Sequence, residues 1–209
     1  MTPSRRLFPL AVVLASLALA LPAQAANLTR SYAYFSIGGS TLQELEVELA
    51  LRGPEVSTSG KRHPGATQLE FAHRVSTRES GGRCRIAKAS VSVTARIILP
   101  RWTTRARGGR ETRLIWDTLA ADIKRHEESH VGIARNHARL MEEAATAVPA
   151  QKSCALAKAK ADAAIRTVMA RHDSEQARFD RIEGLNFEAR IERLLRYRIQ
   201  QIESGRLPG

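Results

Sequence analysis

The chain has 209 residues, 43% of them hydrophobic and 26% charged, and 33 lysines and arginines against 21 acids give a formal net charge of +12. That length and apolar content suit one domain with its own core and exclude a second large one. The basic residues are scattered, mostly arginine and not interleaved with aromatics, which argues against a specific nucleic-acid platform and leaves a basic surface attractive to acidic partners.

Arg5 and Arg6 precede the apolar run LFPLAVVLASLALAL, and PAQAA follows, in which Ala23 and Ala25 make a small-x-small pattern. This is the layout of a secretory signal, with cleavage expected after Ala25: residues 1–25 are the leader and 26–209 a single domain. The run is shorter than the ~20 residues that span a bilayer, so no transmembrane segment is expected after cleavage. Removing Arg5 and Arg6 takes the charge from +12 to 12 − 2 = +10. Ser4-Arg5-Arg6-Leu7-Phe8 also resembles a twin-arginine signal, and the export route stays open.

The segment RSYAYFSIGGS reads as a strand closed by a turn at Gly38 and Gly39. Ser40 is expected to cap the helix TLQELEVELALR, with Gly53 just past its end. After a loop from Gly53 to Gly65, TQLEFAHRVS and CRIAKASVSVTARIIL alternate apolar and polar residues around Gly81-Gly82, the pattern of an antiparallel pair that Pro100 should end. Beyond the basic loop RWTTRARGGR a long helix is expected from Glu111 to about Val148. A second follows from near Gln151 after the Pro149 break, and the basic amphipathic helix NFEARIERLLRYRIQQIESGR follows a break at Gly184. The expected fold is α+β: a small antiparallel sheet followed by long helices. Cys84 and Cys154, an even pair in an exported chain without a C-x-x-C spacing, are expected to form one disulfide worth about 4 kcal/mol.

The long helix carries His126-Glu127-Glu128-Ser129-His130, which matches H-E-x-x-H, the motif of zinc-dependent peptidases. Histidines four apart project from one helical face and reach one ion, and the Glu after the first His is placed to take a proton from the attacking water. At about 100° per residue from Trp116, residues Leu119, Ala120, Ile123, Ala134 and Met141 share a stripe with His126, Glu127 and His130, whereas Glu128 falls with Lys124, Arg125 and Arg135 on the outer face. Two histidines and a carboxylate on an apolar face need a partner, and a cation supplies one. A buried His-Glu network without metal is the competing explanation.

Catalytic zinc takes three protein ligands. His137 stands about 10 Å beyond His130 along a straight helix and cannot share the ion. The longer pattern H-E-x-x-H-x-x-G-x-x-H fails by register, because Ile133 and Asn136 occupy its glycine and histidine positions. If the two helices fold back at Pro149, the residues facing the motif lie near His172, which shares an inner stripe with Ile165, Val168 and Met169; Glu183, beside Gly184, is the other candidate.

The leader, GGSTLQELEVEL, the two strands with Cys84, the LPRW stretch at Leu99 to Trp102, the Trp116-to-His130 helix and Cys154 together resemble a bacterial family. It is known as the predicted secreted zinc-dependent proteases, or domain of unknown function 922, and the likeness covers most of the mature chain, to about Phe179-Asp180. The family is similar to zincins. The resemblance implies His126 and His130 as zinc ligands on a zincin-like active-site helix, with Glu127 as general base. A later family segment, Y-D-x-x-T-x-H-G, corresponds here to FDRIEGLN: Phe179 replaces the Tyr, Asp180 matches, and Leu185 stands in place of the His. If that His is the family's third ligand, Glu183 or His172 must substitute for it, and the lost Tyr hydroxyl removes one stabiliser of an oxyanion.

The expected function is therefore that of a periplasmic or secreted zinc metallopeptidase acting on a peptide or protein substrate, envelope-associated proteins included. The alternative is a non-catalytic, degenerate envelope protein that binds an anionic partner through its basic surface.

Overall fold

The structure, a computed structural model, describes residues 27–56 and 60–208; the leader expected at 1–25 lies outside the described residues. In chain order come β1 (Asn27–Ile37), α1 (Leu42–Arg52), a short antiparallel pair β2 (Glu55–Val56) and β3 (Lys61–Arg62), β4 (Ala66–Ser80), β5 (Arg83–Trp102), α2 (Arg110–Thr146), α3 (Cys154–Leu185) and α4 (Phe187–Glu203). The fold is α+β, as expected from strands that precede long helices.

β4 and β5 form the expected antiparallel pair, and Ser80 lies opposite Arg83 across a two-residue turn. Gly81 and Gly82 both have positive φ, 58° and 68°, the requirement of a tight I′ hairpin. The sheet order is β1-β5-β4. β1 runs parallel to β5, with Asn27 opposite Ser92 and Ile37 opposite Trp102, so the sheet is mixed rather than wholly antiparallel. A parallel pair needs a long crossover, which α1, β2, β3 and β4 together supply.

Two local expectations are corrected. Pro100 does not end the sheet: β5 continues to Trp102, with Pro100 opposite Phe35 of β1. β4 has already ended at Ala66, opposite Ile98, so β1 is the strand's remaining ladder partner there, and an open edge tolerates a missing N–H. The cap of α1 is Thr41 rather than Ser40: Thr41 Oγ1 accepts from the Glu44 N–H at 3.2 Å, and Glu44 Oε2 accepts from the Ser40 and Thr41 N–H groups at 2.6 and 3.2 Å. Such a capping box is worth about 1 kcal/mol.

Val91, Val93, Ala95, Ile97 and Leu99 alternate along β5 and bury one face of the sheet against the helices. α2 and α3 meet that face through small residues, Ala134, Ala138, Ala145, Ala157 and Ala161, around Met141. At the other end of α2, Trp116 meets Trp102 edge-on at 5.8 Å, beside Ile37 and Leu45. The expected disulfide joins Cys84 of β5 to Cys154, the first residue of α3. Gln151 and Cys84 also exchange two backbone hydrogen bonds, of 2.9 and 2.7 Å, so the chain leaving α2 is tied to the sheet before α3 begins. The break between α3 and α4 falls at Asn186, two residues past Gly184.

Candidate functional site

The inner stripe of α2 is as expected: Trp116, Ile123, Glu127, Ala134 and Met141 are buried, and His126 and His130 are 26% and 13% exposed. Glu128 faces outward, where it accepts from the Tyr32 hydroxyl and lies 3.9 Å from both Arg30 and Lys124. That hydrogen bond holds the Tyr32 pKa above its ordinary value.

His126 and His130 point their Nε2 atoms at each other, 3.1 Å apart. From α3, Asp180 brings Oδ1 to 3.3 Å from His126 Nε2 and 3.1 Å from His130 Nε2. Among the described residues these three side chains form a cluster whose ligand atoms converge. A tetrahedral zinc ion with bonds of about 2.0–2.1 Å requires donor atoms about 3.3–3.4 Å apart. The triangle of two imidazole nitrogens and one carboxylate oxygen thus has nearly the dimensions of one face of that tetrahedron, and its donor set suits zinc.

The opposite ring nitrogens are also engaged. His130 Nδ1 lies 2.7 Å from Gln176 Oε1, and Gln176 Nε2 donates to the His130 carbonyl at 3.1 Å. His126 Nδ1 lies 3.5 Å from Glu183 Oε2. An acceptor at each Nδ1 favours the tautomer that leaves Nε2 free to ligate. Phe179 lines the cluster, stacked on His126 at 5.0 Å and edge-on to His130 at 5.1 Å.

Glu127 is 5% exposed and lies between α2 and the start of β4. The Thr67 hydroxyl donates to its Oε2 at 2.8 Å, with the Glu127 carbonyl 3.0 Å away as a second acceptor. Gly65 makes room for the carboxylate: a Cβ there would stand 2.8 Å from Glu127 Oε1.

Charge separation is built into this cluster. Burial would raise the Asp180 pKa, but hydrogen bonds to His126 and His130 hold it far below the usual carboxylate range. Burial would likewise lower the His130 pKa, yet the bonds to Asp180 and Gln176, reinforced by the charges of Asp180 and Glu127, leave it raised. For Glu183, Arg125 and Arg190 overcome the burial effect and keep the carboxyl below its ordinary value.

The structure brings His126 and His130 together, sets the Glu127 carboxylate against Thr67 and Gly65 one residue along from His126, and puts neither candidate third ligand at the triangle. Glu183 lies behind His126, bonded to Arg125. His172 is buried, on the expected stripe with Ile165 and Val168, but sits one step further out. Its Nε2 is 2.9 Å from Gln176 Nε2, and its ring packs against Phe71 and His137. Burial is the largest influence on its pKa, which is lowered. His137 is engaged elsewhere, with Nδ1 3.0 Å from the Ile133 carbonyl. Asp180 takes the third position, and the sequence marked it only as the residue of FDRIEGLN that matches the family segment. Gln176, Thr67 and Gly65 carried no sequence signal.

The chain belongs to the family described as bacterial protein of unknown function (DUF922), which matches residues 32–188. That stretch contains the histidines, Glu127 and Asp180. No curated protein and no solved structure matches the chain. Among the described residues no helix is long and apolar enough to cross a membrane.

Proposed function

We propose that this member of the DUF922 family is a periplasmic or secreted zinc-dependent metallopeptidase in which His126, His130 and Asp180 hold the ion and Glu127 is the general base. The observation that carries the reading is the 3.1–3.3 Å triangle of donor atoms, with a nearly buried carboxylate on the residue next to His126. Zinc, when bound, supplies Lewis acidity that polarises a carbonyl and makes water nucleophilic at neutral pH. The protein supplies the rest. Gln176 and Glu183 fix the two imidazoles, Phe179 shields one face of His126 from solvent, and Thr67 and Gly65 hold the Glu127 carboxylate in place. From there Glu127 accepts a proton from the attacking water and returns it to the leaving amine. The disulfide and the bacterial family fit export into an oxidising compartment.

Elemental analysis of the mature chain from Ala26, paired with a peptide-hydrolysis assay, tests this. Near-stoichiometric zinc is expected in the wild type and in Glu127→Gln but not in His126→Ala, with hydrolysis by Glu127→Gln reduced by about 100-fold or more. A Glu127→Gln protein that keeps both zinc and full activity would refute the assignment.

One observation favours a second reading, a non-catalytic envelope binding protein. Phe179 sets an apolar ring against both histidines where the family segment has a Tyr hydroxyl. Zinc binding with no peptidase activity, together with salt-sensitive retention on an anionic resin, would favour that reading.

A further inference from the structure

α4 begins at the end of the stretch that the family matches, and Arg190 lies two residues beyond it. Although it belongs to a helix with no buried residue, its side chain is only 11% exposed and reaches back between α2 and α3. Arg190 Nε lies 3.1 and 3.2 Å from the two carboxylate oxygens of Asp122, a side chain 4% exposed. Nη1 donates to the Glu183 carbonyl at 3.1 Å, and Nη2 lies 3.4 Å from Glu183 Oε2. The Phe187 ring stands 5.8 Å from the guanidinium carbon.

Glu183 lies in the last turn of α3, where helix carbonyls have no intrahelical partner and the backbone frays unless something bonds them. Arg190 bonds that carbonyl and the same residue's carboxylate together. Glu183 is the acceptor behind His126, and Asp180 stands one turn before it on the same helix.

We propose that Arg190 is a positioning residue for the metal centre: by locking the last turn of α3 onto Asp122 of α2, it presets Glu183 and Asp180 around His126 and His130. The proposal rests on the metal reading above and adds a role for α4. A planar guanidinium suits the task because it serves a carbonyl and two carboxylates in fixed directions, which a lysine ammonium does not. Outer partners of metal ligands are typically worth 10–100-fold in affinity.

The test is the zinc dissociation constant of the full mature chain, measured by competition with a chromophoric chelator, with far-UV circular dichroism as the check on folding. Arg190→Met is expected to weaken zinc binding by about 10–100-fold, and Glu183→Gln by a similar factor. The double variant should be no weaker than the weaker single one, because both changes break one chain of contacts. Arg190→Lys, which keeps the charge and serves as the milder variant if Arg190→Met folds poorly, should fall between. Arg198→Met removes a different inward contact of α4, to Asp117 at 3.4 Å, and should bind zinc as the wild type does. Wild-type affinity in Arg190→Met and Arg190→Lys would overturn the proposal, as would equal losses in Arg190→Met and Arg198→Met, which would reduce α4 to a docked helix. A wild-type chain that binds no zinc would instead sink the metal reading itself.

Discussion

Gly65 offers a way to separate proton transfer from metal binding. A Cβ at this position would stand 2.8 Å from Glu127 Oε1, 2.9 Å from Ile123 Cγ2 and 3.1 Å from Glu127 Cγ. Ordinary contacts between carbon atoms are about 3.5–4.0 Å, so something must move by several tenths of an ångström. Ile123 has little freedom, being 6% exposed and packed with Ala95, Ile97 and Val131. The Glu127 carboxylate is held by Thr67, and yielding would break that bond. Gly65→Ala should therefore destabilise the fold by about 1–3 kcal/mol, the range for overpacking a tight site. It should also displace the carboxylate, and misplacing a reacting group by about 1 Å costs about 100-fold in rate. His126, His130 and Asp180 are not touched, so zinc content should be unchanged. Melting curves, zinc stoichiometry and peptide turnover on one preparation would show the pattern. Unaltered stability and turnover would refute the close packing at Gly65; loss of zinc along with turnover would show that the strain moves the whole of α2, and the separation of base from metal would fail.

Asp180→Ala should weaken zinc binding by more than 100-fold, beyond the range for an outer partner, and by more than His172→Gln, whose ring meets Gln176 rather than the triangle; the reverse order would restore His172 as the ligand. Loss of the disulfide in Cys84→Ser/Cys154→Ser should cost about 4 kcal/mol for a loop closed over a separation of 70 residues. Guanidinium titrations read this directly, and a change under about 1 kcal/mol would contradict the loop-closure estimate for this cross-link. In the metal-free protein the depressed Asp180 contributes stability that is present above about pH 4 and lost as pH falls through its folded value, while the raised His130 contributes stability that is present below about pH 6.5 and lost as pH rises through its folded value. Melting temperatures in chelator should therefore peak between about pH 4 and 6.5, and zinc, which competes with the imidazole proton, should move the peak upward. A metal-free maximum above pH 8 would contradict the Asp180–His130 pairing.

Much of the helical architecture was legible because its signals are local. The uninterrupted run after the RARGG loop gave α2 to within a few residues, Pro149 and Gly184 bracket α3 to within a few residues of its ends, and the period of 3.6 put Glu127 inward and Glu128 outward. The Gly81-Gly82 turn located the β4–β5 hairpin for the same reason: its backbone geometry is written in two adjacent residues. The direction of β1 was not legible. RSYAYFSI pairs with a strand more than sixty residues away, and nothing within it distinguishes a parallel from an antiparallel partner. Pro100 misled because a proline is disruptive only where its N–H is needed, and that depends on where β4 stops.

The place of Asp180 beside the two histidines was missed through a geometric assumption about α2 and α3. Reflection about Pro149 sets the motif opposite His172, which is correct only if both helices start from the turn together. Instead the segment after α2 is bonded to Cys84, and the first turns of α3 pack with β5 residues through Ala157 and Ala161 before the helix runs beside the motif. The pairing is consequently displaced: His137 meets His172, His130 meets Gln176 and Asp180, and Arg125 meets Glu183. The eight residues from His172 to Asp180 amount to about two turns, or about 12 Å. A disulfide and one backbone bridge tie the start of α3 to the sheet, and Arg190, from the far side of the Asn186 break, bonds the other end of that helix. The histidines lie on α2, but Asp180 comes from α3, whose first residue is bridged to β5 and whose last turn is bonded by Arg190 of α4, itself paired with Asp122 of α2.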